Sequence, residues 1–193
     1  TYKGVGLIIG LTGLAACGKS TISRYMKNKY KYSHLVFSDV LLEEAKHRKL
    51  TDDNATIEAM KKVLYKLGDE WRRERGNDFV IAEKLIDKIK KSDMKNVVVD
   101  GFRAPGEVEL FRKTFDSFIL IYVDASLETR FRRRKMDDPA ATIDDLMKRD
   151  ENDIRNKGMD KVFDLADFKI NNNSSKENVY RQVEKIISGQ GIL

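Results

Sequence analysis

The first structural signal in this chain is residues 7–20, which read LIIGLTGLAACGKS. Residues 7–12 form a short apolar run that is typical of a buried strand. Residues 13–20 then fit the pattern G-x-x-x-x-G-K-[ST] at each of its fixed positions. A segment that begins TISRYM at residue 21 has the composition of a helix start. Strand, glycine-rich loop and helix therefore follow one another in the order that the pattern requires.

The loop is suited to holding phosphate groups. Its glycines let the backbone curl so that successive N–H groups point inward, and the next helix directs its unpaired N–H groups at the same place. The Lys19 ammonium would lie between the β- and γ-phosphates, and the Ser20 hydroxyl would bind Mg²⁺. We therefore predict an ATP site here. Its residues are Gly13, Leu14, Ala15, Ala16, Cys17, Gly18, Lys19, Ser20 and Thr21.

Short apolar runs alternate with segments of helical period along the rest of the chain. This alternation predicts a parallel sheet with crossover helices, that is, an α/β fold. The run Val97-Val98-Val99 is apolar without interruption, as a strand covered on both faces requires. The predicted strands are residues 7–12, 34–37, 96–100, 118–124 and 167–171. Helices are predicted around residues 57–67, 79–89, 108–115 and 179–187.

Composition favours one soluble domain over residues 1–193. The 37 basic and 31 acidic residues give a formal charge of +6, which suits an anionic small molecule as well as a nucleic acid. The single cysteine, Cys17, excludes an internal disulfide and favours a reducing, cytoplasmic location. We interpret it as a small residue in a tight bend, with a redox role as the alternative. No apolar run is long enough to span a membrane.

Asp100 ends the apolar run at residues 96–100. Ligands collect at the carboxyl ends of strands in open α/β sheets, so this carboxylate is a candidate for holding Mg²⁺ together with Ser20. The alternative is a carboxylate that only caps the loop after the strand.

Several short segments in this sequence carry a resemblance to a known family. They are residues 13–20, Ser38-Asp39-Val40, Asp100-Gly101-Phe102-Arg103, Thr129-Arg130-Phe131, Asp137-Asp138-Pro139 and Arg149-Asp150. With them the chain resembles the P-loop nucleoside monophosphate kinase superfamily over nearly its whole length. Within it the chain is most similar to the archaeal adenylate kinase-related proteins, also labelled dephospho-CoA kinase-like.

The resemblance implies a sheet order of 2-3-1-4-5, with ATP and Mg²⁺ as donor, a helical acceptor-binding region at about 39–92 and a lid at about 126–150. It assigns acceptor binding to Asp39, Arg72 and Arg103, and ATP binding to Arg130 and Arg133. It also implies catalytic roles, beside Lys19, for Arg134 and Arg149. Phosphoryl transfer does need positive charge around the migrating group. Each arginine has the alternative of a surface ion pair with a nearby carboxylate.

The chain departs from the family pattern at two places. The family has Gly-Asp-Val-Ile-Arg where this chain has Ser38-Asp39-Val40-Leu41-Leu42, so Leu42 replaces an arginine expected near the acceptor phosphate. The resemblance therefore does not imply AMP as the acceptor. The lid segment is also short, so the resemblance does not identify which of its arginines reaches the phosphates.

The sequence thus predicts a phosphotransferase that moves the γ-phosphate of ATP to a nucleoside monophosphate or a similar phosphorylated small molecule, with dephospho-CoA as an alternative acceptor. A second hypothesis is an ATPase switch or assembly factor that binds RNA or protein, because residues 130–135 read RFRRRK. A GTPase is disfavoured, since the sequence has no Asn-Lys-x-Asp tetrapeptide. We expect a small nucleotide partner, no membrane association, and a monomer or homodimer.

Overall fold

A five-stranded parallel sheet forms the centre of the computed structural model, which describes residues 2–189. Residues 1 and 190–193 of the predicted domain lie outside the described residues. The strands are β1 (Ile8–Thr12), β2 (Ser33–Val36), β3 (Val97–Phe102), β4 (Phe118–Asp124) and β5 (Phe168–Asn171). Their order is β2-β3-β1-β4-β5, and each neighbouring pair is parallel. The predicted fold class and strand order are confirmed.

Helices connect the strands and cover the sheet. They are α1 (Lys19–Tyr30), α2 (Phe37–His47), α3 (Ile57–Arg75), α4 (Val80–Lys90), α5 (Pro105–Thr114), α6 (Leu127–Asp137), α7 (Ile143–Arg155), α8 (Met159–Asp164) and α9 (Lys176–Gly189). Among the described residues, four helices begin after a hydroxyl residue whose oxygen accepts a hydrogen bond from a first-turn N–H. These N-caps are Thr56, Ser126, Thr142 and Ser175. Within residues 2–189, no helix is both long and apolar enough to cross a bilayer.

The core has two halves because side chains of each strand alternate between the two faces of the sheet. Val97 and Val99 pack with Ile81 of α4 and Phe111 of α5 on one face. Val98 points to the other face, where the packing helices are α1 and α9. Burial of β3 on both faces explains the uninterrupted apolar run in its sequence.

The carboxyl ends of β1 and β3 meet at one edge of the sheet. Leu11 pairs with Asp100, and the register then shifts so that Thr12 pairs with Phe102. The prediction ended β3 at residue 100, but the strand continues because Gly101 adopts φ of +110°, which a residue with a side chain rarely does. The Thr12 hydroxyl donates a hydrogen bond of 2.9 Å to the Phe102 carbonyl. This junction places Asp100 beside the phosphate-binding loop.

Candidate active site

The loop between β1 and α1 requires glycine at two positions. Gly13 has φ of +148° and Gly18 has φ of +100°. A Cβ atom on Gly18 would lie 2.1 Å from the Asn172 side-chain nitrogen, and one on Gly13 would lie 2.4 Å from the Val123 carbonyl oxygen. Neither position has room for a side chain, so the fixed glycines of the motif follow from the packing of the loop against β4 and β5.

Lys19, the first residue of α1, folds its side chain back over the loop. Its ammonium donates to the carbonyl oxygens of Gly13 at 2.7 Å and Leu14 at 3.3 Å. Cys17 Sγ lies 3.5 Å from the same nitrogen, and Cys17 is buried beneath the loop. Ser20 and Thr21 follow in the first turn of α1, and the Thr21 N–H donates to the Gly18 carbonyl at 3.1 Å. The arrangement concentrates positive charge at the mouth of the loop.

Asp100 is a buried carboxylate, 8% exposed, at the end of β3. Burial raises its pKa, and the positive charge of Lys19 acts in the opposite direction. Its oxygens take part in no hydrogen bond among the described residues, so they do not cap the following loop. The donor set of a carboxylate and the Ser20 hydroxyl fits Mg²⁺, which takes few protein oxygens and completes its shell with water and phosphate.

A pocket of about 160 Å³ extends from this edge of the sheet towards α2 and α3. Phe37, Leu41, Leu64 and Ile81 form its apolar walls. Asp100 is the one acidic residue of the described part of the chain that lines it. Its basic lining residues within the described chain are Lys19, Lys61, Arg72, Arg103, Arg149 and Lys157. The pocket therefore joins the phosphate-binding loop to a strongly cationic region.

Two of the predicted acceptor residues, Arg72 and Arg103, line this pocket. Arg72 donates to Glu107 at 2.6 Å, and Glu107 is fully buried. Glu107 also accepts from the backbone N–H of Arg103 at 2.8 Å, so it ties α3 to the loop after β3. The Arg103 guanidinium contacts Asp153 at 2.9 Å. Asp39, in contrast, is exposed in the first turn of α2 and is not among the lining residues.

Arg149, on α7, also lines the pocket. Burial is the main cause of its lowered pKa, and the nearby Arg103 charge adds to the effect. Its Nε is buried without a hydrogen-bond partner among the described residues. Arg149 is therefore available to a ligand in the pocket.

The other predicted arginines, on α6, make internal contacts. Arg130 is 4% exposed and forms a bidentate ion pair with Asp150, with distances of 3.0 and 2.7 Å. Arg133 donates to the Cys17 carbonyl at 3.3 Å and to the Asn172 carbonyl at 2.8 Å. Arg134 pairs with Glu58 of α3 and, at 3.4 Å, with Asp138. These contacts fix α6 against the phosphate-binding loop and against α3.

Sequence reasoning missed Tyr65 and Lys157, which line the same pocket. The sequence did contain one signal for Lys157. Arg149, Asp153 and Lys157 are spaced by four residues, a spacing that predicts three charged side chains along one face of a helix, although α7 ends at Arg155 and Lys157 lies in the turn after it. Nothing in the sequence indicates that Tyr65, more than 80 residues earlier, packs against them.

Comparison with known proteins identifies the family. A family model described as an AAA domain, AAA_17, matches residues 12–155. A UPF0200 protein of Methanoregula boonei is 31% identical over 183 residues, covering 93% of this chain and 95% of the relative. This chain belongs to the AAA_17 and UPF0200 families. A UPF0200/UPF0201 protein of Archaeoglobus fulgidus is 34% identical over 188 residues, and the alignment covers 93% of this chain but only 54% of that protein.

Solved structures show the same architecture. Protein TT1252 of Thermus thermophilus superposes with a TM-score of 0.63 at 18% identity, covering 96% of this chain and 98% of that one. Shikimate kinase of Aquifex aeolicus gives a TM-score of 0.54 at 17% identity, with coverage of 96% and 99%. At this identity the likeness shows the fold. Together with the family match, it places the chain in the P-loop nucleoside monophosphate kinase-like superfamily of nucleotide-binding folds.

Proposed function

We propose that this protein is an ATP- and Mg²⁺-dependent phosphotransferase that moves the γ-phosphate to a nucleoside monophosphate or a similar small phosphorylated acceptor. One observation carries the proposal: a single pocket connects Lys19 of the loop to Arg103 and Arg149. An acceptor held by these arginines would have its reacting oxygen directed at a γ-phosphate held by the loop. Alignment of the two reactants is the main requirement of phosphoryl transfer.

In the proposed reaction an acceptor oxygen forms a bond to the γ-phosphorus while the bond from that phosphorus to the β,γ-bridging oxygen breaks and ADP leaves. Lys19 stabilises the charge that shifts to the bridging oxygen. Arg149 faces the transferring group from α7. Mg²⁺, held by Ser20 and Asp100, would neutralise the phosphate oxygens.

The contacts of the basic segment 130–135 favour the phosphotransferase over an RNA-binding switch. Arg130, Arg133 and Arg134 are engaged by carboxylates or carbonyls of the protein itself. Arg132 and Lys135 are exposed, and two cations provide a small electrostatic footprint for a nucleic acid.

The lone cysteine is buried and suits a reducing compartment, so we propose the cytoplasm as the location.

A transfer assay with labelled ATP and Mg²⁺ tests the proposal. The acceptor panel should contain the nucleoside monophosphates, dephospho-CoA, and shikimate, the last because solved neighbours are shikimate kinases. We expect transfer to one phosphorylated acceptor at a rate far above that of ATP hydrolysis. Hydrolysis that only RNA or a protein partner stimulates would instead support the switch, and transfer to shikimate alone would exclude a phosphorylated acceptor.

Replacing Arg103 tests the division between the two ends of the pocket. Arg103→Ala should raise the KM for the acceptor about ten-fold or more, because it removes a charge-assisted hydrogen bond. The KM for ATP should change little. Arg112→Ala is the matched control, since Arg112 pairs with Asp167 on the surface at 2.9 Å. If Arg103→Ala raised only the KM for ATP, the donor and acceptor ends of the pocket would be assigned the wrong way round.

A further inference from the structure

Lys157 is a buried lysine outside the loop motif and outside the predicted acceptor residues. It follows α7, and only 4% of its side chain is exposed although it lines the pocket. Its ammonium lies 3.0 Å from an oxygen of Asp153 and 3.4 Å from an oxygen of Asp69 on α3. A buried ammonium costs free energy, which these partners offset only in part.

The ring of Tyr65 brings three cations together. The Lys157 nitrogen lies 3.4 Å from the ring centroid, the Arg149 guanidinium carbon 5.3 Å and the Arg103 guanidinium carbon 5.9 Å. Cations are attracted to the face of an aromatic ring. The Tyr65 hydroxyl is fixed by Asp153 at 3.0 Å and by Asn152. The Tyr65 ring is therefore fixed in position beside the three cations.

The positive charges around the Tyr65 ring are not all paired with carboxylates. Arg103 and Lys157 share one carboxylate, that of Asp153, which is fully buried. Asp69 contacts Lys157 but also lies 4.0 Å from Arg72. Within residues 2–189, no carboxylate oxygen lies within 4.0 Å of the Arg149 guanidinium. The cluster therefore has a surplus of positive charge that an anion in the pocket would neutralise.

We propose that Lys157 determines acceptor specificity by donating to a phosphomonoester group of the acceptor, which it holds together with Arg103 and Arg149. The inference rests on the proposed function, because it concerns the acceptor end of the same pocket. A phosphate has three oxygens that can accept charge-assisted hydrogen bonds from three directions, which matches three converging donors. A carboxylate carries one negative charge, whereas a phosphomonoester carries up to two near neutral pH, so the phosphate neutralises more of the surplus positive charge.

Lys157 also makes the site sensitive to pH, which an arginine would not. Burial lowers its pKa to about 8, with Asp153 as the largest opposing influence. The charged and titratable groups that face it are Tyr65 and Asp69 from α3, Arg149 and Asp153 from α7, and Arg103 after β3. Affinity for phosphate should therefore fall as the pH rises above about 8, since the unliganded lysine then loses its proton.

Binding of inorganic phosphate, measured by titration calorimetry on the full chain, tests this inference. The parent is Lys19→Ala, which weakens phosphate binding by the loop. In this parent we compare Lys157→Met, Lys157→Arg and, as a control on the outer face of α7, Lys148→Met. We expect the Met variant at position 157 to bind phosphate about ten-fold or more weakly at pH 7, and the Arg and Lys148 variants to bind it like the parent.

The pH series gives a readout that a purely structural role would not change. From pH 7 to pH 9 the parent should lose about ten-fold more affinity than the Lys157→Arg variant, since one pKa unit corresponds to a factor of ten. Three results would each overturn the inference. They are the same dependence of phosphate affinity on pH in the parent and in Lys157→Arg, the same affinity in the parent and in Lys157→Met, and no phosphate binding by the parent. Failure of the proposed function is distinguishable, because it appears as absent transfer from ATP to every acceptor in the panel.

Discussion

In the proposed reaction, Lys19 is the residue on which transfer depends most directly. Among the described residues its ammonium donates to loop carbonyls and to Cys17 Sγ, so replacing it removes charge and no core packing. Lys19→Ala should slow transfer about 100- to 1,000-fold, with Tm changed by no more than about 2 °C. Transfer rate and thermal unfolding measure both effects. Lys27→Ala, at an exposed position of α1, is the control, and full activity in Lys19→Ala would exclude the assigned role.

Lys157 should leave a signature in stability as well as in binding. Its pKa of about 8 in the folded protein lies below that of a lysine in the unfolded chain. Between these values the unfolded state binds more protons, so stability rises with pH. Relative to Lys157→Arg, the wild type should gain about 1–3 kcal/mol in its free energy of unfolding from pH 7 to pH 10.

Urea denaturation across that pH range makes the comparison. Arginine does not titrate below pH 10, so the pH dependence of stability in Lys157→Arg comes from the other titratable groups of the protein. A difference between the two proteins that stays constant with pH would show that Lys157 keeps an ordinary pKa in the folded state.

At the scale of helices, the Arg130–Asp150 pair joins α6 to α7, and Arg130 also donates to the Ala15 carbonyl of the loop at 3.3 Å. Both partners are largely buried, with 5% and 13% of their side chains exposed. Arg130→Met should therefore destabilise the protein by about 3–5 kcal/mol, because it leaves a buried carboxylate without its partner. Adding Asp150→Asn should recover much of that loss.

Chemical denaturation of the single and double variants measures this coupling. Arg155→Met is the control, since Arg155 and Glu151 form an exposed pair on α7 that should be worth under about 1 kcal/mol. If Arg130→Met instead leaves stability unchanged and raises the KM for ATP, the side chain acts on the nucleotide, as the family resemblance implies.

The elements that the sequence predicted share a strong local pattern. The loop at residues 13–20 was identifiable because its motif consists of consecutive residues. The five strands were identifiable because each forms a short, largely apolar run of consecutive residues. The helices α6 and α7 were not predicted as separate elements, because three of their four buried residues are polar. α6 buries Thr129 and Arg130, and α7 buries Leu146 and Asp153. Hydrophobic periodicity cannot detect a helix that packs through ion pairs.

Across the whole molecule, the pocket is built from segments far apart in the chain. Phe37, Tyr65, Arg103 and Lys157 come from four different parts of the sequence. Their convergence depends on the sheet order and on how α3 and α7 pack, which no local pattern records. Its volume of about 160 Å³ is below the roughly 300–1,000 Å³ typical of ligand sites. The proposed nucleotide acceptor would therefore require α3 and α7 to move apart.

Asp100 shows how the site affects the stability of the whole protein. Burial raises its pKa above that of an aspartate in the unfolded chain. The folded state then binds more protons between the two values, so stability falls as the pH rises through this range and the loss is complete above it. Near neutral pH, Asp100→Asn should raise the stability of the ligand-free protein by about 1 kcal/mol, because it removes a buried charge.

The same variant should lose the contribution of Mg²⁺ to ATP binding. In the wild type, ATP with Mg²⁺ should raise Tm more than ATP with a chelator, because a ligand stabilises the folded state in proportion to its affinity. In Asp100→Asn, ATP should raise Tm by the same amount with Mg²⁺ as with the chelator. Asp124→Asn at the end of β4 is the control, since Asp124 pairs with Lys169 at 2.8 Å and should keep the Mg²⁺ effect without any gain in stability. If Asp100→Asn were less stable without ligand and still responded to Mg²⁺, the metal would have to bind elsewhere in the site.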